Sequence, residues 1–437
     1  TAQVSTFCNT KKAKIMLLTL LFSYLGFGMW ILSKLKIATS TLQTLLFSLF
    51  ISIALITTTI AFLGPVLGTN GYYLLFVTGV LGLTQYKKLL EFFIKSAQAI
   101  VRNKLIVAVL VFSMIALSST MILSVTTPVG DLKLQETHDS VWHIALMENL
   151  QKTIPPQHPS QSTITLNNYH YLYDLFLSSF LTFYNVSSYT LYFQYSVLFL
   201  SGLLVLSAYE LARAIHSKFA GVVLAVTTVF TGSFAYLIPY FNPIQGWHES
   251  SFWVSQTFVM IVNPQVIYTL ALTLMCLLLF YKLSLSTPLQ KIYLALHLAV
   301  ILLCATSIGF KSYSWVILSV LYASVLLIEL IRHRSFTTIV VGVGYLLFCV
   351  PLLWLITKFA GNTFCYHPLW FTNSMIESPD RVNYLQWKFL QDHYVLKKNI
   401  PRLFLLEAKK IAIFYFGNLG IRSFFIFLPL IFILKKN

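Results

Sequence analysis

Charge is what this 437-residue sequence has least of. Asp, Glu, Lys and Arg together make up 10% of it, where a soluble domain carries about 25%. That is too little to cover the surface of a water-soluble globule of this length. Acid is scarcer still: 13 Asp and Glu face 30 Lys and Arg, a formal net charge of +17. Cysteine is sparse and without pattern. Cys8, Cys276, Cys304, Cys349 and Cys365 form no CxxC, and three of them lie inside apolar runs. Neither a disulfide framework nor a structural zinc site is indicated. No internal repeat is evident, so an inverted-repeat transporter architecture lacks its usual mark. There is no basic–aromatic module for single-stranded nucleic acid, which removes nucleic acid as a partner. A cleavable signal peptide is not evident either, because the apolar run 15–33 is long enough to span. Thr1 stands where a Met is expected, and Lys435-Lys436-Asn437 follows directly on an apolar run. Both ends are compatible with a piece of a longer protein.

What is abundant is hydrocarbon and aromatic surface. The sequence is 57% hydrophobic, with 36 Phe and 24 Tyr and a mean hydropathy of +0.77. This composition implies an all-α, polytopic transmembrane helical bundle that meets membrane lipid. Apolar runs at 15–33, 42–67, 71–86, 105–125, 189–212, 219–240, 264–285, 292–308, 314–331, 337–360 and 411–434 give about eleven spans of roughly 20 residues. Residues 169–184 are apolar but carry Asp174, and read as an interfacial or re-entrant helix. Basic loops fix an expected orientation. Residues 87–104 hold Lys87, Lys88, Lys95, Arg102 and Lys104, and Arg213/Lys218, Lys282/Lys291, Arg332/Arg334 and Lys435/Lys436 mark four more. With these on the cytoplasmic side, the segments 126–188, 241–263 and 361–410 become outer loops, with a short one near 309–313. Lys11, Lys12 and Lys14 then fall outside, against the rule.

Ten of the thirteen acidic residues lie in the three long outer loops. Avoidance of basic loops explains their side but not their clustering with His and Trp. In ETHDSVWHIALMEN (136–149), Thr137 can cap a helix running to about Leu150. Asp139 and His143 are then i,i+4 neighbours, while Trp142, Leu146 and Leu150 form a face suited to lying on the membrane. A carboxylate there can take a proton from an attacking hydroxyl. His143 can orient it or share a metal, and a plain solvated Asp–His pair is the duller alternative. His138 is off that face and there is no HExxH, so no dedicated zinc site is read.

Residues 154–174 follow with Pro155, Pro156 and Pro159, which force an extended loop. Asn167, Asn168, Tyr169, His170 and Asp174 come next and suit sugar hydroxyls and ring faces, or ordinary turn chemistry. The second outer loop carries adjacent His248 and Glu249 between Trp247 and Trp253. Lys311 interrupts an apolar region, where it either snorkels or meets a lipid-linked phosphate. Arg381, in IESPDRVNY, has the donor fork to clamp phosphate, although Glu377 and Asp380 are equally able to neutralise it. Arg422, in GNLGIR, lies at membrane depth or in a bent interfacial portion.

A span followed by a long outer loop opening GDLKLQETHDSVWH resembles the GT-C superfamily of membrane glycosyltransferases, over roughly residues 105–434. Within it the chain is similar to the bacterial branch near the protein-mannosyltransferase and arabinosyltransferase groups. The resemblance implies interfacial helices in the first long outer loop and an acidic catalytic residue soon after the span. Asp139 and Asp131 match it, with Glu136 and His143 beside them; the usual Asp-Glu or Asp-Asp pair is replaced here by His138-Asp139. It further implies a GT-C-like core at 105–437, preceded by extra spans and a basic connector at 1–104. The donor would be a polyprenyl-phosphate-linked sugar, and the acceptor a glycan, lipid or protein. The site would face outward from a bacterial or archaeal plasma membrane.

By the same resemblance, Asp139 deprotonates the acceptor while Lys311, Arg381 or Arg422 stabilises the leaving phosphate. His138, His170, Asp174, His248 and Glu249 would contact substrate. No cofactor is expected with a monophosphate donor. A pyrophosphate donor would bring a divalent ion to Asp139, His248 and Glu249. Two other classes fit the composition: a transporter or flippase of a lipid-linked or anionic substrate, and an O-antigen polymerase or ligase.

Overall fold

A computed structural model describes residues 18–37, 39–125, 138–184, 186–230, 234, 260, 263–286, 291–358, 369–379, 382–420 and 423. The chain divides into two compact units, one of residues 1–225 with 263–363 and one of residues 226–262 with 364–437. The larger unit is an all-α bundle. Its helices, in chain order, are α1 (Leu20–Leu35), α2 (Thr41–Leu67), α3 (Leu74–Leu83), α4 (Tyr86–Val101), α5 (Lys104–Val125), α6 (His138–Leu150), α7 (Leu172–Phe183), α8 (Ser188–Ile215), α9 (Lys218–Phe230), α10 (Pro264–Ser284), α11 (Lys291–Phe310), α12 (Ser312–His333) and α13 (Phe336–Thr357).

Local chemistry sets many of the ends. Ser40 caps α2 by accepting from the Gln43 backbone N–H at 3.3 Å, and Ser335 caps α13 through Thr337. Both satisfy donors the first helical turn leaves open. Helix α2 stops at Gly68, whose φ of +56° a side chain would resist. The chain then reverses, so that Gly71 returns against Ile60 and α3 runs beside α1. Small residues permit the closest crossings: a Cβ on Gly28 of α1 would strike the backbone carbonyl of Ser48 in α2. Such contacts suit a lipid setting, where van der Waals packing holds helices together.

Among the described residues, six helices are long and apolar enough to cross a membrane, or seven if the pair α4/α5, bent by 96°, counts as one. Helix α11 is central, touching α2, α7, α10, α12 and α13. Its span window is 78% buried, against 22% for α12. The exposed Val316, Ile317, Val320, Leu327 and Ile331 of α12 therefore present hydrocarbon outward, as a lipid-facing helix must. The other expected spans fall on the shorter helices Leu20–Leu35 and Lys218–Phe230, on α3, which follows α2 after the segment Gly68–Tyr73, or partly outside the described residues.

Three expectations are corrected. The face of α6 carrying Leu146 and Leu150 does not lie on a membrane surface. Both residues are fully buried, because α6 packs on α7. The proline-broken segment is not a plain extended loop, since Gln157–His158 and Gln161–Thr165 pair as an antiparallel hairpin, β1–β2. The expected outer loop 361–410 is largely helical, carrying α14 (Trp370–Glu377), α15 (Leu385–Leu396) and the first half of α16 (Ile400–Leu419). The helix expected to begin at 411 thus starts at Ile400, where Asn399 caps it and Pro401 sits in the first turn.

The smaller unit is organised on α14, α15 and α16. Ile376 and Val382 are buried among Tyr384, Trp387, Ile413 and Phe414. Beside them the ammonium of Lys410, with no exposed surface, donates to Glu377 at 2.5 Å, Gln391 at 2.8 Å and Glu407 at 3.0 Å. Three acceptors satisfy the three donors of one buried lysine.

Replacing Gly28 with Val should destabilise the bundle by about 1–3 kcal/mol, the usual cost of overpacking. The check is thermal unfolding of the detergent-solubilised protein, and an unchanged Tm would mean that α1 and α2 do not cross there. Lys410→Met should cost about 1.5–3 kcal/mol, because it leaves two half-buried carboxylates without their charge-assisted donor. It should show as early proteolysis within 369–420.

Candidate functional site: a buried His–Asp–Gln–Lys network

The helix ends opposite the basic turns bring four helices and one turn together. Helix α6 supplies His143, the turn before α7 supplies Tyr169 and His170, α7 supplies Asp174, and the ends of α10 and α11 supply Gln265 and Lys311. Asp174 is fully buried, and His143 is 1% exposed. His143 Nδ1 donates to both carboxylate oxygens of Asp174, at 3.0 and 3.1 Å. On the other side of the ring, the Gln265 amide oxygen accepts from His143 Nε2 at 2.6 Å and from Lys311 Nζ at 2.9 Å. The Gln265 amide nitrogen donates to the Phe310 carbonyl at 3.2 Å. His143 is thus held at both ring nitrogens, by Asp174 on one side and Gln265 on the other.

Packing fixes the ring as firmly as the hydrogen bonds do. His143 stacks on Tyr192 at 5.7 Å and 16°, and the Tyr169 hydroxyl lies 3.4 Å from His143 Nε2. Tyr169 stacks in turn on His170 at 4.6 Å and meets Trp142 edge-on at 5.6 Å. The backbone of the same turn is anchored by Asn168 N–H, which donates to the Ile356 carbonyl at 3.0 Å. Asn168 itself has φ +58°, a conformation that Asn tolerates better than most residues.

His170 is half-buried, yet its Nε2 is buried without a hydrogen-bond partner. Burial, then the charges of Lys311 and His143, hold its ring well below the ordinary histidine range. Lys311 brings a cation to this neutral imidazole, while the Asp174 carboxylate is taken up by His143. A group of that kind can receive a phosphate oxygen, and the unused ring nitrogen can meet a hydroxyl.

Of the residues expected to carry chemistry, the structure unites His143, His170, Asp174 and Lys311. It alters two of their roles. His143 was expected to orient Asp139 or share a metal, but its Nδ1 is held by Asp174. Asp174 was expected to meet sugar hydroxyls, but it is fully buried with both oxygens directed at His143. Lys311 does not snorkel: it is 9% exposed and bonded inward. The backbone of His138 and Asp139 forms the first turn of α6, which keeps Asp139 and His143 at i,i+4 in register. Asp131, Glu136, His248, Glu249, Arg381 and Arg422 lie outside the described residues. Among the described residues, no three His, Cys, Asp or Glu side chains gather as metal ligands.

Gln265 was not foreseen. Its signal was slight: a lone amide directly after Asn263-Pro264, where an apolar helix begins. Two more buried ionisable groups were also missed. Glu329 of α12 accepts from the Tyr293 hydroxyl at 2.7 Å and lies 3.3 Å from His297 Nε2, while His297 Nδ1 is 2.8 Å from the Tyr322 hydroxyl. Glu210 of α8 is fully buried and pairs with Arg213, one turn on, at 2.6 Å.

No family model, curated protein or solved structure matches the chain.

Two outcomes test the network. Asp174→Asn removes the charged acceptor of a buried, hydrogen-bonded ring and should cost about 1.5–3 kcal/mol, read as a fall in Tm. An unaltered Tm would dissolve the pairing. His170 titrates lower in the folded protein than the unfolded value of about 6.5, so the unfolded chain binds more protons in the interval between. Its contribution is full above about pH 6.5 and is lost as pH falls below that value. Tm should therefore drop on acidification from about pH 7 to 5, and His170→Gln should flatten the slope.

Proposed function

We propose that the chain is an integral membrane glycosyltransferase of GT-C type. It moves a sugar from a polyprenyl-phosphate donor to an acceptor on the non-cytoplasmic face. The observation that carries this reading is the folding of the first long hydrophilic segment. Its helix, hairpin and second helix bring His143, His170 and Asp174 to Lys311 at one end of a lipid-facing bundle. An aqueous acceptor and a lipid-anchored donor can meet only at such a boundary.

In the proposed mechanism Asp139, one turn before His143, takes the proton of the acceptor hydroxyl as the oxygen attacks the anomeric carbon. The bond from that carbon to the phosphate oxygen breaks, and the leaving phosphate gathers negative charge. The Lys311 ammonium lies close to that charge and favours its development. Asp174 and Gln265 act through His143 and Lys311 by holding both in place. His170 and Tyr169 offer a ring nitrogen and aromatic faces to the sugar. A monophosphate leaving group requires no metal. With a pyrophosphate donor, a divalent ion near Asp139 would supply the charge instead.

A transporter or flippase is the second reading. It draws on the buried His297–Glu329 pair, because ionisable groups within membrane spans commonly mark transport paths.

Purified protein incubated with a panel of polyprenyl-phosphate sugars should release polyprenyl phosphate and transfer or hydrolyse one of them. Asp139→Asn should lower that turnover by at least about a hundredfold, the lower end for a general base, with Tm unchanged. Lys311→Gln should weaken donor binding more than acceptor binding. Wild-type turnover in Asp139→Asn removes the base. Donor movement across liposomes without any sugar transfer would favour the transporter. Reporter fusions at Leu150 and Lys95 should report outside and inside respectively, and the reverse would overturn the orientation.

A further inference from the structure

At the end of the bundle opposite the His143 network, the larger unit forms an open cavity of about 680 Å³. Such a volume is within the range of small-molecule sites, about 300–1,000 Å³. Its walls carry four cationic side chains, Arg102, Lys104, Arg213 and Lys218, and one carboxylate, Glu210. The carboxylate is already committed. Glu210 accepts from Arg213 Nε at 2.8 Å and Nη2 at 2.6 Å, and from the Ser40 hydroxyl at 3.2 Å. Arg213 Nη2 also donates to Ser40 at 3.0 Å. Glu210 thus neutralises Arg213 and leaves the charge of three further cations. Arg102, Lys104 and Lys218 are all exposed at the cavity. Helices α2, α5 and α9 all begin at this wall, adding the positive ends of three helix dipoles.

The same walls include Leu42, Leu105, Phe219 and Val222, so the cavity is amphiphilic as well as basic. Helix α4, which lends it Ala99, turns by 96° from α5. It exposes Leu90, Phe93, Ile94 and Val101 at helical spacing, with Lys87, Lys88 and Lys95 on the same helix. A basic amphipathic helix set across the bundle lies at headgroup level. The cavity beside it opens where lipid phosphates are.

We propose that this cavity binds the headgroup of an anionic phospholipid. The phosphate sits among Arg102, Lys104 and Lys218, and the first acyl carbons lie against Phe219 and Val222. Nothing in the glycosyltransferase reading requires this site, and the site does not depend on that reading.

The test is native mass spectrometry of the full chain released from detergent, titrated with phosphatidylglycerol or phosphatidylcholine of matched acyl chains. The wild type should bind phosphatidylglycerol more tightly. The double variant Lys104→Gln/Lys218→Gln should weaken that binding roughly 30-fold, at about 1 kcal/mol per basic residue and 1.4 kcal/mol per factor of ten. Its phosphatidylcholine binding should not change. Should the double variant fail to fold, Arg102→Gln at its exposed position should give a roughly fivefold loss by the same conversion. Equal affinity of the wild type for the two lipids, or full phosphatidylglycerol affinity in a folded variant, overturns the proposal. So does displacement of the lipid by inorganic phosphate or glycerol 3-phosphate at equal concentration, which would assign the cavity to a soluble phosphate.

Discussion

Hydrocarbon cannot solvate a charge, and the rest of this structure follows from that constraint. Among the described residues, several charged side chains that the protein buries are met by partners of its own. His143 has Asp174 and Gln265, Glu210 has Arg213 and Ser40, Glu329 has Tyr293 and His297, and in the smaller unit Lys410 has three acceptors. An unpaired charge at any of these points would cost several kcal/mol. The partners come from distant parts of the sequence, so each network also fixes which helices meet.

The networks differ in charge balance, and that difference suggests different uses. The Lys410 cluster joins one ammonium to two carboxylates and a neutral amide, which suits a purely cohesive role. The His143 cluster sets the Lys311 ammonium near a neutral His170, which suits receiving something from outside. The cavity bounded by Arg102, Lys104 and Lys218 is open as well as basic. The first cluster is the one the proposed transfer from a phosphate-linked donor would use, and the second is the one the proposed lipid site would use. Aromatic stacking of Tyr169 on His170 and of Tyr192 on His143 limits the motion of the first site, as preorganised charge requires.

Much of the fold was legible because membrane helices are written in composition. Long apolar runs anticipated α2, α8, α10, α11, α12 and α13 closely, since a span must be apolar throughout. The short α7 was also anticipated, its Asp174 marking it as no ordinary span. Misreadings arose where an apolar face had two possible covers. Leu146 and Leu150 could have met lipid or protein, and the sequence pattern is the same for both. The segment 361–410 read as loop because its helices are polar enough to be lipid-free, yet Ile376, Val382 and Lys410 give it a core of its own.

By itself, the sequence determined the class of solvent this protein occupies, the approximate ends of its longest helices and the gathering of acid in a few hydrophilic segments. Those properties are local sums over neighbouring residues. Only the tertiary structure decided that His143 pairs with Asp174, 31 positions away. It also decided that Gln265 and Lys311 complete that network, and that Arg102, Lys104 and Lys218 share a cavity. The physical reason is that pairing in a low-dielectric interior is chosen by which helices pack together. Helix packing depends on side-chain shape across the whole bundle, which no single stretch of sequence records.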